Sequence, residues 1–502
     1  VSRRLGILAT IILLLFAVVL VQSANIQFFK APTYDASSAN PRNTNSSSQF
    51  PRGEIVAANG TVLAYSAKQN NPYYPYRRVY PDGSLTSGVV GFSSPYYGEW
   101  AIEDEYNGYL AAHAQPPQSL EQLLAPTSAA DSVSLTLVPE LQQIARANLE
   151  GQYGSAVVLQ PKTGAVLAMY SNPNYNPVPL TSPTDAVAKA AWDLYLKRDS
   201  DGFQPLGQMA TQESFPPGST FKVITTSAVV SSKPALLTKS YPYASFTKLP
   251  DTTSLLHNSG GSACGGTIAV MLPVSCDPGF ALVGLDVGAD DMFKAATSFG
   301  YDALPPLDLP TTEIVPSYFP TAASFSNNLP GLAYSSIGQE NVRATALQDA
   351  LVAAAVGNNG VEMTPHLMDH ITAPDGTVVK RYKDSVWKTP LTPAQAQEIV
   401  PLMEGVVTHG TADGVGFLSQ DDAACKTGTA QTGNVAKNTD DWLICFAPAT
   451  DPTVAVAVVL PFQPTQNFGA TVAGPIVKCL VEGALAIQSH QRPVGTSTTC
   501  PK

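Results

Sequence analysis

Two segments, Phe221 to Val230 and Ala344 to Val356, are apolar on most of their faces, and this constrains the architecture more than any other feature of the chain. A helix lying on a surface shows one apolar stripe, whereas one apolar all round must sit inside a domain. The chain must therefore provide layers thick enough to wrap both segments. Its 502 residues, 44% hydrophobic and only 13% charged, suffice for two or three compact domains. Between and around these segments the pattern changes to strands. Val133 to Leu137 alternates, and Ala156 to Tyr170 reads as two strands joined by a turn at Pro161-Lys162-Thr163-Gly164. Ala424 to Gln431, Trp442 to Ala447 and Val454 to Leu460 are three further strands, while Pro139 to Leu149 and Pro475 to Ile487 have helical spacing. The expected fold class is α/β, of the α+β kind.

The ends of the chain have a different character. Arg3 and Arg4 precede an uncharged apolar run from Leu5 to Val21, about 26 Å long as a helix, the short end of a membrane span. The flanking arginines place residues 1–4 in the cytoplasm, 5–22 in the membrane and the rest outside. A cleavable signal peptide is the competing reading, with Val21-Gln22-Ser23 as its cleavage site. Both readings put the remainder in a compartment that permits disulfides. Residues 23–50 read as a polar stalk, 51–140 as a small β-rich or mixed module, 141–490 as the main domain and 491–502 as a tail.

The net charge is −11, the wrong sign for a general nucleic-acid binder, and no basic cluster beyond Arg77-Arg78 offsets it. The six cysteines show no C-x-x-C spacing and the six histidines stand singly, so no metal site and no cofactor is expected.

The sharpest chemical signal is Phe215-Pro216-Pro217-Gly218-Ser219-Thr220-Phe221-Lys222. The prolines and glycine stop any preceding helix, so a helix can begin at about Ser219, and Ser219 then shares a face with Lys222. A lysine desolvated among apolar residues loses basicity and can take the serine proton, while the helix N-terminus favours a developing oxyanion. The same S-x-x-K tetrad occurs at Ser245 to Lys248 and Ser385 to Lys388, but only Ser219 follows a Pro-Pro-Gly break and opens an apolar helix. An ordinary N-cap serine is the structural alternative. Lys426-Thr427-Gly428-Thr429 lies in a predicted strand, where a cation, two hydroxyls and a glycine allowing close approach suit a peptide carboxylate. Lys162-Thr163-Gly164 repeats the tripeptide in a hairpin turn and is assigned to structure. A serine with a nearby amide or carboxylate completes the set. Ser275-Cys276-Asp277 and Ser326-Asn327-Asn328 both qualify, and the first is preferred because the apolar helical stretch after it would hold it rigidly.

Cys264 and Cys276 are separated by Gly265-Gly266 and Pro273, which let the chain reverse and bring the two within disulfide range. Such a bridge would tether the neighbour of Ser275. Cys425 and Cys445, in apolar strands, are expected to be buried free thiols.

S-x-x-K, S-x-D and K-T-G in that order form the set shared by penicillin-binding proteins and class A β-lactamases. The chain resembles the class B, monofunctional penicillin-binding proteins over nearly its whole exported length. The resemblance runs through Arg52-Gly53-Glu54-Ile55, Asn59 to Ala64, Tyr97-Gly98, Ile102-Glu103, Tyr106-Asn107, Gly154 to Met169, Ser335 to Gln339 and Met363 to His366. Its short first module is most similar to that of the actinobacterial penicillin-binding protein A branch, which lacks a long pedestal. The resemblance implies a five-stranded antiparallel sheet flanked by helices and a D,D-transpeptidase that cross-links peptidoglycan stem peptides and is acylated by β-lactams. It also implies a polytopic glycan polymerase of the RodA and FtsW type as partner. Residue by residue, it makes Ser219 the nucleophile, Lys222 its base, Ser275 the proton relay and Lys426 the cation holding that relay. Asp277, Thr427, Gly428 and Thr429 would contact substrate, and the N–H groups of Ser219 and Thr429 would form the oxyanion hole. Asp277 stands where many members have asparagine, and Asp440-Asp441 precede Trp442 where relatives commonly have histidine, departures that imply a differently built acceptor side. A D,D-carboxypeptidase or a β-lactamase-like hydrolase on the same fold is the alternative activity, and a non-catalytic scaffold a further one.

Overall fold

The computed structural model describes residues 2–25, 30, 50–114, 128–433, 439–464 and 467–489. The stalk expected over 23–50 and the tail over 491–502 lie almost wholly outside them. The first helix runs Ser2–Ala24, with Leu13 to Leu15 and Val18 to Val21 exposed. Among the described residues no helix is long and apolar enough to cross a membrane.

The central sheet has five strands: Gly154–Leu159 (β1), Val166–Asn172 (β2), Ala424–Gln431 (β3), Thr439–Ala447 (β4) and Val454–Gln463 (β5). Their spatial order is β2-β1-β5-β4-β3, antiparallel at every pairing. Covered on both faces, β5 reads Val-Ala-Val-Ala-Val-Val-Leu without alternation, because successive side chains enter different cores. Trp442, Ile444 and Phe446 of β4 join the core around the Ala346–Gly357 helix, every residue of which is buried. Leu443 and Cys445 join the core under the Pro139–Leu149 and Gly474–Gln488 helices. The all-apolar helices are thus inside the domain, as their composition demands. The second begins at Ala346 and is capped by Thr345, whose hydroxyl accepts from Gln348 N–H.

A second sheet joins strands that no local sequence pattern links. Its six strands, in order, are Val378–Arg381, Met368–Thr372, Ser132–Leu135, Ile55–Val56, Val62–Lys68 and Tyr76–Val79. Ile55–Val56 pairs in parallel with Ser132–Leu135, which in turn pairs antiparallel with Met368–Thr372. Strands from before residue 80 and after residue 367 therefore share one hydrogen-bonded ladder.

Beside this sheet lies a buried ionic cluster. Arg52 donates from Nε to Glu103 Oε2 at 3.0 Å and from Nη1 to Asn107 Oδ1 at 2.7 Å. Arg78 donates from Nε to Glu103 Oε1 at 2.5 Å and from Nη1 to the Gly53 carbonyl at 2.7 Å. Burial pushes the Glu103 carboxyl up, but Arg78 and Arg52 outweigh it and hold the group below its usual range.

Candidate active site

The expected helix start at Ser219 needs a correction. Residues Gly218–Phe221 form a single 3₁₀ turn, and the α-helix runs Lys222–Ser232. Gly218 sits at φ +54° with its N–H donating to the Gly338 carbonyl at 2.9 Å, a backbone path that tightens the entry to the helix. In 3₁₀ geometry positions i and i+3 eclipse, so Ser219 and Lys222 still lie on one side. Ser219 is half-buried and lies inside the turn, whose N-cap position is Pro217. Its neighbour Thr220 donates to Asp349 Oδ2 at 2.7 Å, anchoring the turn to the Ala346–Gly357 helix.

Lys222 is fully buried. Its Nζ donates to Asp277 Oδ1 at 2.6 Å, to the Ser275 carbonyl at 2.7 Å and to Ser275 Oγ at 3.3 Å. Desolvation lowers its pKa, with Asp277 pulling the other way. The Ser219 hydroxyl reaches Asp277 Oδ1 at 3.4 Å, so one carboxylate oxygen joins the serine to its lysine. Asp277 is fixed in turn: its N–H donates to Asn258 Oδ1 at 3.0 Å, and its Oδ2 accepts from Ser259 N–H at 2.9 Å.

Ser275 occupies the turn before the Asp277–Val287 helix at φ +57°. Cys276, its neighbour, is bridged to Cys264 with Cα atoms 5.7 Å apart. Lys426 on β3, also fully buried, donates to Ser275 Oγ at 2.9 Å and to the Thr427 carbonyl at 3.0 Å. Burial and the nearby charge of Lys222 hold its pKa well below that of a free lysine. Ser275 Oγ thus sits between two lysine Nζ atoms carried by different parts of the chain.

β3 is the edge strand, and a cleft of ≈ 320 Å³ opens beside it, lined by Ser219, Asn258, Ser275, Thr411, Thr427, Thr429 and Phe468 among others. Thr427 Oγ1 lies 2.6 Å from Thr411 Oγ1, and Thr429 Oγ1 accepts from Gly469 N–H at 3.1 Å. Gly428 is required by close approach. A Cβ there would lie 2.5 Å from the Pro217 carbonyl oxygen and 3.0 Å from Thr220 Cγ2. Gly428→Ala should therefore push the strand off the Ser219 turn and slow penicillin acylation about 10²-fold, the scale of a 1 Å misplacement. Stopped-flow labelling, with the thermal midpoint measured alongside, checks this.

The competing candidates lie elsewhere. Ser245 falls between two short strands with Lys248 exposed. Ser385 is exposed and donates to Thr364 Oγ1 at 2.9 Å. Lys162 pairs with Asp451 at the surface. Asn328 caps the Leu329–Ser335 helix by accepting from Gly331 N–H. Cys425 and Cys445, expected as free thiols, are a disulfide: they are directly paired across β3 and β4 with Cα atoms 4.0 Å apart. Burial in apolar strands favours either form of cysteine, and only the strand register distinguishes them. Asn258, Thr411 and Asp349 were missed, since they act through contacts 16 to 129 positions distant and belong to no motif.

Comparisons with known proteins agree with this geometry. The penicillin binding protein transpeptidase domain matches residues 154–482, and the penicillin binding protein A dimerisation domain matches 52–130. The peptidoglycan D,D-transpeptidase PbpA of Mycolicibacterium smegmatis is 33% identical, over 95% of this chain and 98% of its own. The crystal structure of PBPA from Mycobacterium tuberculosis superposes with a TM-score of 0.77 at 31% identity, covering 87% of this chain and 99% of that one. The penicillin G acyl-enzyme complex of the same protein gives the same TM-score and identity. The chain belongs to the penicillin-binding protein transpeptidase family.

Proposed function

We propose that the chain is a peptidoglycan D,D-transpeptidase working through an acyl-serine intermediate at Ser219. The observation that carries this is the convergence of Lys222 and Lys426 on Ser275 Oγ, at 3.3 and 2.9 Å, beside the half-buried Ser219. Ser219 Oγ attacks the penultimate D-Ala carbonyl of a donor stem peptide, and its proton passes to Lys222 in the neutral form that desolvation favours. Ser275 receives a proton from Lys222 and delivers one to the nitrogen of the departing D-Ala, while the Lys426 ammonium holds its oxygen. Thr427 and Thr429 meet the terminal carboxylate, and the N–H groups of Ser219 and Thr429 receive the oxyanion. An amine of a second stem peptide attacks the ester and regenerates the serine. A β-lactam acylates Ser219 in the same way, but its ring opening leaves no departing group.

The anchor belongs to the same proposal. The Ser2–Ala24 helix carries Arg3 and Arg4 in its first turn and exposed apolar side chains beyond them; in this reading that apolar part enters the membrane, leaving the catalytic unit outside, next to a polytopic glycan polymerase. Co-purification from detergent with and without residues 1–30 tests that partner.

The activity is tested by incubation with benzylpenicillin followed by tryptic mass mapping. The adduct should fall on Ser219 and persist. An adduct on Ser245 or Ser385 overturns the assignment, and sustained nitrocefin turnover makes the protein a hydrolase instead.

A further inference from the structure

We propose that Asp441 is a positioning residue whose proton decides whether the Thr429 hydroxyl points at a carboxylate in the cleft or away from it. The proposal rests on the carboxylate-binding role given above to Thr429 and deepens it.

Thr429 and Asp441 are direct partners in the β3–β4 ladder, so their side chains stand adjacent on one face. Thr429 lines the cleft, whereas Asp441 is fully buried, with its Oδ1 lacking any hydrogen-bond partner among the described residues. One lone pair of the Thr429 hydroxyl is already occupied by Gly469 N–H. Gly469 comes this close because it has no side chain: a Cβ there would lie 2.2 Å from the Trp442 carbonyl oxygen and 2.4 Å from that of Gly428. The hydroxyl has a single hydrogen and two claimants for it: the unpartnered Asp441 Oδ1 of its direct neighbour across the ladder, and a ligand carboxylate.

The protonation state of Asp441 settles the contest. An ionised carboxylate only accepts, so it takes the hydrogen and adds a negative charge beneath the carboxylate subsite. A neutral carboxyl donates its own O–H to the second lone pair of Thr429, and the threonine hydrogen turns to the ligand. Burial raises Asp441 to about 7, the Thr429 hydroxyl opposes that, the charge of Asp440 adds to it, and Thr439 opposes it again. Asp440 is itself raised to about 7 by burial, against the Phe462 N–H and the charge of Arg343.

The other charged groups on neighbouring elements are engaged elsewhere. On β3, Lys426 is three pairs along and engaged with Ser275. Strand β5 and the short Gly469–Val472 helix carry none. Asp349, on the Ala346–Gly357 helix, binds Thr220, and Lys478 pairs with Glu482 on the C-terminal helix.

The test compares second-order acylation of the full chain by benzylpenicillin and by its methyl ester from about pH 5.5 to 8.5, a range in which the drug's carboxylate stays ionised. Taking the ratio of the two rates cancels any titration that acts on Ser219 alone, including that of Asp349. In the wild-type protein the ratio should fall about tenfold as pH rises through 7, the loss of one hydrogen bond to a charged group. Asp441→Asn, whose amide donates at every pH, should hold the ratio at its low-pH value. Asp440→Asn should move the midpoint down. A wild-type ratio that is flat with pH overturns the proposal, as does an Asp441→Asn protein that keeps the wild-type fall. If Asp441→Asn does not fold, the wild-type profile and the Asp440→Asn midpoint decide alone. Absence of any adduct on Ser219 would instead refute the transpeptidase reading, which keeps the two failures distinct.

Discussion

Lys222→Ala should slow acylation by benzylpenicillin at least 10³-fold while leaving Ser219 in place, in keeping with the roughly 10²–10⁴-fold contribution of a positioned base. The Lys222 amine is fully buried and spans Asp277 and Ser275, so truncation removes both the proton acceptor and the link that holds the second motif. Lys222→Arg keeps a cation and should fail almost as completely, because a guanidinium does not deprotonate in a protein. Rapid-quench labelling with mass detection measures both variants. Retention of more than about a tenth of the wild-type rate by Lys222→Ala would remove lysine as the base and leave Asp277, which already accepts from Ser219, as the stronger candidate.

The largest loss of stability is expected at a distance from this chemistry. Glu103→Ala removes the carboxylate shared by the buried Arg52 and Arg78, leaving Arg52 only the Glu99 carboxylate at 3.6 Å, and breaking such a cluster costs about 3–5 kcal/mol. Asp82→Ala breaks the exposed Arg146 pair and should change stability by less than about 1 kcal/mol. Urea unfolding of the two variants side by side gives the contrast. Comparable losses would mean that the cluster is stabilised by packing rather than by charge.

The sequence exposes these features unequally. Ser219, Lys222, Ser275 and Lys426 are legible because each sits in a short motif whose chemistry depends on residue type, and the Pro-Pro-Gly break separates Ser219 from two decoys. The central strands are legible through their apolar runs, and the helices through their lack of a polar face. Asp440 and Asp441 mislead: two acidic residues argue against a strand by propensity, yet β4 begins at Thr439 and both are buried in it. Tertiary burial overrides the local preference, at the cost of two carboxyls held far from their usual range. The six-stranded sheet is invisible because the two pairings that unite its hairpins join residues 78 and 233 to 240 positions apart, and no local pattern encodes those distances. Arg52 and Glu103 stand in segments that carry the family resemblance, but their meeting 51 positions apart is a property of the fold.

That shared sheet bears on where the chain can be cut. Met368–Thr372 and Val378–Arg381 belong by sequence to the catalytic half, yet they complete a ladder whose other strands lie before residue 136. A fragment starting near residue 140 would strip the neighbour from Met368–Thr372 and leave its N–H and C=O groups bare, an open template for aggregation. The Ala165–His366 bridge joins that strand's approach to the entry of β2, so the damage would reach the central sheet. The first module is therefore a structural half of the enzyme rather than a detachable spacer, and recombinant or chimeric versions must carry residues from about 50 onward to yield a soluble catalyst.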